Sequence, residues 1–500
     1  MHHEYVVIGS GIGGLSAAAL LAKEGKDVLL IEAESAIGGC ASSYHIKRPD
    51  GNKFKFESGA TTIVGLAENQ PLRTLEEKLE IKFPVVELNP SMTIHFKQFQ
   101  VTRVKDKNAW ITECFQKFFS SCPELKNKHD EFWNLAFSLN DLVWRVSKTN
   151  VLFPPLSISD LLRLAQNNKI TDFPKLRFLF ESTLSVMTSF GLHVSDSFVR
   201  FCDEQLMITA QAKTDQVPFL YAAPCLTYTN TENFYAYGGM IRIAETLRES
   251  IIQNGGKIIT RQKVNGIQRR NSRFILSLSK GFLTAKKVIS NATLWNTYEM
   301  LEDALKPKLK HNVERIPFGW GAFTMGIAIN DTLHKNLTLH HQFHLESKIP
   351  FTNSDSYFLS LSMPDDFERH PESMRVMAIS THTKTNEWFK EEMQYKESKA
   401  AVEEFILSDL ETRGIGFSRE SIVFKNSSTP KTWQDWTHRK FGRVGGVPNT
   451  LSRSVFELTG SKGLIEGLYF VGDTVYPGQG IAGVALSGIN AVERIKADES

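Results

Sequence analysis

The sequence predicts an α/β protein with more than one packed region, and three observations carry that prediction. The β-branched run Tyr5-Val6-Val7-Ile8 passes through Gly9-Ser10-Gly11-Ile12-Gly13-Gly14 into an alanine-rich helical stretch, and a second apolar run, "DVLLIEAE", then ends on Glu32. Near the other end, "GLYFVGDTVYPGQGIAGVALSG" repeats the theme: an apolar strand, Asp473 at its tip, a glycine-rich loop and a helix of small residues. At 500 residues the chain also exceeds what one simple core accommodates.

The N-terminal elements follow from local physics. A short β-branched run reads as a buried parallel strand, and Gly25 is positioned to stop the helix that follows. Strand, glycine loop, helix, second strand and acid together form a dinucleotide-binding fingerprint of the Rossmann type. Gly9 permits the tight turn, Gly11 lets a pyrophosphate approach the backbone, and Gly14 lets helix and strand pack closely; Gly13 lies in the same loop. Glu32 would accept hydrogen bonds from ribose hydroxyls and repel a 2′-phosphate.

Composition sets bounds. Hydrophobic residues make up 41%, charged residues 23%, and the net charge is only +3, which argues against a nucleic-acid partner. Phe is abundant, 34 against 11 Tyr and 8 Trp, and suits either a large core or an oily ligand. The cysteines at 40, 114, 122, 202 and 225 form no C-x-x-C pair, so neither a disulfide framework nor a zinc site is expected. No secretory leader and no membrane-length apolar run is read, giving a cytoplasmic expectation, with attachment to a membrane face as the companion reading.

Shortly after Glu32, "SAIGGCASSY" adds the pair Gly38-Gly39. The run "VVIGSGIGG…LLIEAESAIGGCASSY" and the closing "GLYFVGDTVYPGQGIAGVALSG" resemble the two ends of the carotenoid (phytoene) desaturase and carotene isomerase family, within the amine-oxidase-like flavoproteins. The resemblance implies non-covalent FAD. It implies that Asp473, after Gly472, bonds a ribityl hydroxyl, and that the helix from about Ile481, behind Gly480, points its positive end at the flavin. It also implies that Val264, in "GGKIITRQKVNGIQRR", contacts adenine through its backbone, against the plainer reading of a β-hairpin. "AKKVISNATLW" resembles the strand that returns to the nucleotide domain, ending at Ser290-Asn291-Ala292.

On this resemblance the FAD-binding domain is discontinuous, at about residues 1–70, 225–300 and 440–500. An inserted α+β substrate domain would take 71–224 and 301–439. "NFYAYGGMIRIAETL" is similar to a family segment near substrate and flavin, which makes Tyr235, Gly238, Gly239 and Met240 substrate-proximal candidates. A late loop matches at Arg443, Gly445 and Gly446, and "MAISTHTKTNEW" resembles a sheet strand. Glu57 matches an acidic position near the cofactor, where a structural role is favoured over proton acceptance.

Three stretches are read for alternatives. His340, His341 and His344 lack the ligand spacing of a metal site; on a strand His340 and His344 share a face. In residues 159–190, Ser159 or Asp160 would cap a helix bearing Leu161, Leu162, Leu164 and Ala165. Beyond it, Phe173, Leu176, Phe178, Leu179 and Phe180 interleave with Lys169, Lys175 and Arg177, as in a segment that dips into a bilayer or in helices that close a core. "EEMQYKESKAAVEEFILSDLE" reads as a solvated helix.

The resemblance implies desaturation of a long apolar polyene by hydride transfer to flavin, with a quinone or oxygen as the further electron acceptor; no catalytic acid, base or triad is assigned. "GGCAS" and "ESGATTIVGL" are most similar to terminal 3′,4′-desaturases of hydroxylated carotenoids. Carotene cis–trans isomerases, retinol saturases, amine oxidases and a non-catalytic prenyl-binding escort are the alternatives.

Overall fold

The computed structural model describes residues 2–167, 169–314, 319–453 and 457–500, without the side chains of Ala165 and Ile170. Its first sheet has seven strands, of which five are parallel, in the spatial order Lys257–Ile259, Val28–Ile31, His2–Ile8, Phe282–Ser290 and Leu468–Phe470; the antiparallel pair Arg273–Leu278 and Val264–Arg270 extends it beside Phe282–Ser290. The first strand explains the continuous apolar run. Tyr5 and Val7 enter one core, Val6 and Ile8 another, so both faces are buried. On one face lie the helices Ile12–Lys23, Ile241–Gln253 and Ile481–Glu499. Small residues let two of them approach: a Cβ on Gly488 would stand 2.7 Å from the Gly13 carbonyl. Gly25 ends the first helix at φ +73°, its N–H bonded to the Ala22 carbonyl.

The segment after Gly255 is not a hairpin. Lys257–Ile259 pairs with Val28–Ile31 at one edge, whereas Val264–Arg270 pairs with Arg273–Leu278 at the other.

A second, seven-stranded sheet runs in the order Ile422–Ser428, Trp320–Asn330, Met374–Lys384, Ser356–Leu361, His340–His344, Met92–His95 and Gln100–Arg103. Its two faces differ in chemistry. Phe323, Met325, Ile327, Leu359 and Ile379 point into a core closed by Val402, Ile406, Leu407 and Leu410. Those four lie on the helix Glu392–Glu411, so the helix expected to be solvated is amphipathic. Burying each such side chain contributes roughly 1.5–3 kcal/mol. The opposite face carries Ala322, Thr324, Ser380, Phe358 and Gln342, mostly small or polar, and fronts a cavity.

The hairpin Ser43–Lys47/Lys53–Glu57 packs on this second sheet through Phe54 and Phe56. The boundary expected at residue 225 falls inside the helix Phe219–Thr231. A third layer of helices, Lys107–Phe118, Lys126–Thr149, Asp196–Ala210 and Phe219–Thr231, is filled by Trp110, Phe118, Phe132, Trp133, Phe198 and Phe201. Much of the phenylalanine excess is therefore core.

In the segment proposed to dip into a bilayer, the helix Ile158–Asn167 is capped by neither Ser159 nor Asp160. Ser157 Oγ accepts from Asp160 N, and the Asp160 carboxylate accepts from Leu156 N and pairs with Arg494 at 2.9 Å. Phe178 is buried against Phe219 and belongs to the core, while Phe180 is 75% exposed.

Candidate active site

One continuous cavity of about 1210 Å³ joins the glycine loops of the parallel sheet to the polar face of the second sheet. Of the expected cofactor residues, Gly9, Gly11, Gly13, Glu32, Gly38, Gly39, Val264, Gly472, Asp473, Gly480 and Ile481 line it. Gly14 does not. It stands behind the loop, where a Cβ would overlap the Gly9 carbonyl, in keeping with its role in helix–strand packing.

Two helix N-termini open into this cavity without a side-chain cap. Ile12–Lys23 follows Gly11, and Ile481–Glu499 follows Gly480, neither of which supplies a capping oxygen. The first intrahelical bonds run from Leu15 to Gly11 and from Val484 to Gly480. The N–H groups before them face a cavity lined by Ile12, Gly13, Ile481, Ala482 and Gly483. Uncapped N–H groups and the helix dipole favour an anionic or carbonyl-bearing ligand. A Cβ on Gly11 would meet Asn291 Nδ2 at 2.5 Å, and one on Gly13 would meet Gly472 N at 3.0 Å, so only glycine keeps this floor open.

The acceptors sit around the floor. The Glu32 carboxylate takes Ser10 N at 2.8 Å and Glu34 N at 2.9 Å, which fixes it at the strand tip. Asp473 receives a hydrogen bond from Arg439 Nη2 at 2.7 Å. Burial works against the Arg439 charge, but the Asp473 carboxylate outweighs it and holds the guanidinium protonated. Arg439 was missed in the sequence, where Arg443 four residues on is the family match. Arg443 instead stacks on the Trp295 ring at 4.4 Å. A basic run before Gly445-Gly446 was the available signal, and only the fold selects which member faces Asp473.

Tyr235, Gly238, Gly239 and Met240 do not line the large cavity. Tyr235 and Met240 border a small separate pocket with Glu57, His340 and Arg369. Glu57 accepts from Met240 N and from Ser43 Oγ, and pairs with Arg369 at 3.3 Å. Tyr235 donates to Asp366 at 2.6 Å. A Cβ on Gly239 would crowd Glu57 at 2.8 Å. The geometry gives this group a supporting role: it anchors the start of the helix Ile241–Gln253 to the hairpin strand Lys53–Glu57.

His340, His341 and His344 are buried on their strand. His340 bonds Ser360 Oγ at 2.8 Å, and His341 Nδ1 lies 3.0 Å from His95 Nε2. Burial drives His340 and His344 down to about 3 and His341 to about 4, so all three are neutral.

Two uncapped, glycine-lined helix ends over one long cavity give an α/β fold with a site suited to an anionic or carbonyl-bearing ligand. The chain belongs to the flavin containing amine oxidoreductase family, whose profile matches residues 12–496. It is 28% identical to "Prolycopene isomerase, chloroplastic" from Daucus carota, over 99% of this chain and 80% of that one. It is 24% identical to "4,4'-diapolycopene oxygenase" from Methylomonas sp, over 99% of this chain and 98% of that one. Among solved structures, an oxidoreductase from Methanosarcina mazei superposes with a TM-score of 0.64 at 18% identity, covering 99% of this chain and all of that one, and shares the fold. The protein is thus a flavin-dependent oxidoreductase, and the donor set fits that cofactor: free N–H groups, the Glu32 and Asp473 carboxylates, and the Arg439 guanidinium.

Proposed function

We propose that the protein binds FAD non-covalently along the glycine-lined end of the cavity and acts on a long, carotenoid-like polyene held at the other end. The observation that carries this reading is the continuity of one cavity from Gly9–Gly13 and Gly472–Gly483 to the face of the second sheet. The two ends suit different chemistry. Glu32 offers acceptors for an adenosine ribose, Val264 borders the same region, and Asp473 keeps acceptor capacity beyond its bond to Arg439. When bound, the flavin supplies two-electron redox chemistry at its ring. The residues of the chain bind, orient and keep water away. Tyr221, Tyr228, Phe358 and Trp144 offer flat apolar surface for an extended substrate.

A membrane surface is proposed as the source of that substrate. Leu156, Ile158, Leu161, Leu162, Phe173, Leu176 and Phe180 are all exposed, with Arg163 and Arg177 exposed among them. This segment is tied by Asp172 to Arg145 at 2.8 Å, on the helical turn whose Val143, Trp144 and Ser147 wall the cavity. No helix among the described residues is long and apolar enough to cross a membrane.

Desaturation is the reaction the sequence resemblance implies. Cis–trans isomerisation is a second reading, favoured by the 28% identity to a prolycopene isomerase over nearly the whole chain. Chromatography and mass spectrometry of pigment, incubated with oxidised or reduced enzyme in liposomes, separate the two. A product lighter by two hydrogens supports desaturation, an unchanged mass with altered geometry supports isomerisation, and no conversion under either condition contradicts both.

A further inference from the structure

Arg103 is fully buried, and its acceptors are all neutral: Gln205 Oε1 at 2.8 Å, the Leu226 carbonyl and Asn230 Oδ1. The rings of Trp110, Phe201 and Tyr228 stand over the guanidinium at 4.9, 5.5 and 5.8 Å. No carboxylate pairs with it among the described residues. Burial lowers it only to about 10, so it stays charged near neutrality. A buried cation with neutral acceptors alone is costly to keep.

The charge fixes the direction of a hydrogen-bond chain. Arginine only donates, so Gln205 must turn its oxygen toward Arg103. That leaves Gln205 Nε2 to donate to Gln342 Oε1 at 2.5 Å. Gln342 in turn must present its own NH₂ away from Gln205, and Gln342 lies in the wall of the large cavity. No acceptor among the described residues is bonded to that NH₂. Each link polarises the next, so the last donor is stronger than a free amide. Tyr228, over the guanidinium, lines the same cavity.

We propose that Gln342 is a specificity-determining residue, its amide aimed by Gln205 and Arg103 to take an oxygen function, hydroxyl or carbonyl, on an otherwise apolar polyene. The inference rests on the polyene reading above and deepens it. A hydrocarbon that fills the cavity without that oxygen would displace solvent from a polarised donor and leave it unpaired, which a site of this kind discriminates against.

The test uses the flavin-loaded protein and three probes in detergent micelles: β-carotene, its hydroxylated relative zeaxanthin and its keto relative canthaxanthin. Binding is followed by quenching of tryptophan fluorescence, since Trp144 lines the cavity. Wild type should bind both oxygenated probes roughly ten-fold more tightly than β-carotene. Gln342→Glu still accepts from Gln205 but offers an acceptor, not a donor, so it should keep the hydroxyl probe and lose the preference for the keto probe. Gln342→Met should bind all three alike. A merely structural link between helix and sheet predicts a lower Tm in both variants with the preference unchanged, which would overturn the inference. Equal binding of all three probes by wild type also overturns it and leaves the polyene reading intact. Binding of none overturns both.

Discussion

Arg439 Nη2 donates to Asp473 Oδ2 across 2.7 Å at the strand tip beside the second glycine loop, and both side chains are largely buried. The carboxylate expected to meet a cofactor hydroxyl thus also neutralises a buried cation. Asp473→Ala should strip flavin from the purified protein and destabilise it by about 3–5 kcal/mol, because Arg439 loses its counter-charge. Flavin content by absorbance and urea unfolding check this. Undiminished flavin in Asp473→Ala would remove the residue from the cofactor site.

Space and backbone angle can be separated at two glycines. Gly446 has φ +77°, and a Cβ there would overlap the Asp473 carbonyl; Gly25 has φ +73° and open space around it. Gly25→Ala should cost only about 1 kcal/mol. Gly446→Ala should cost more and lower flavin content as well, since either Asp473 or the loop must move. Equal effects on melting and flavin would contradict the close approach.

Neither ring nitrogen of His344 has a partner among the described residues, and the ring stacks on Phe96 at 4.2 Å. The ordinary imidazole value is 6.5; burial, then the nearby Arg200 and Arg413, lower it to about 3 in the folded protein. As pH falls below 6.5 the unfolded chain takes up a proton that the folded chain refuses. Stability present above 6.5 is therefore lost on acidification, at about 1.4 kcal/mol per pH unit for each such histidine. His95, His340 and His341 act in the same direction. His344→Phe should stabilise the protein at pH 7 by roughly 1–2 kcal/mol. Between pH 6.5 and 5 it should lose about 2 kcal/mol less than wild type. Parallel stability curves for the two proteins would contradict the assignment.

Phe178 and Phe180 should behave oppositely although they stand two residues apart. Phe180→Ser leaves the core intact and should reduce sedimentation with liposomes, without lowering Tm. Phe178→Ser should destabilise by roughly 3 kcal/mol or more, because it opens a buried site against Phe219. Unchanged liposome binding in Phe180→Ser would remove this segment from the membrane surface.

The same pair shows what the sequence could carry. Strand, glycine loop and helix at residues 2–23 were legible because the apolar run, the glycine spacing and the helix are contiguous in the chain, although the atoms that crowd Gly11 and Gly13, on Asn291 and Gly472, are far away in sequence. Phe178 and Phe180 have identical chemistry, and only the turn they sit on decides which faces inward. Arg439 and Asp473 are 34 residues apart and meet through tertiary packing. Gln342 lay hidden in a run that drew attention for its histidines, and its partner Gln205 is 137 residues away. The aromatic-Gly-Gly-Met segment, expected near substrate, lies outside the lining of the large cavity. Gly238 and Gly239 stand at φ +77° and +92°, where a Cβ would be strained and would also crowd Glu368 and Glu57, a demand the sequence alone does not reveal.

The most direct measurement of the central claim is an anaerobic titration of purified, flavin-loaded protein with polyene in liposomes, recording the flavin and pigment spectra together. One cavity holding both groups predicts that the flavin band shifts or bleaches in step with polyene binding, reaching saturation at one polyene per flavin. The acid-released cofactor should have the mass of FAD. A flavin spectrum indifferent to bound polyene would contradict the shared cavity.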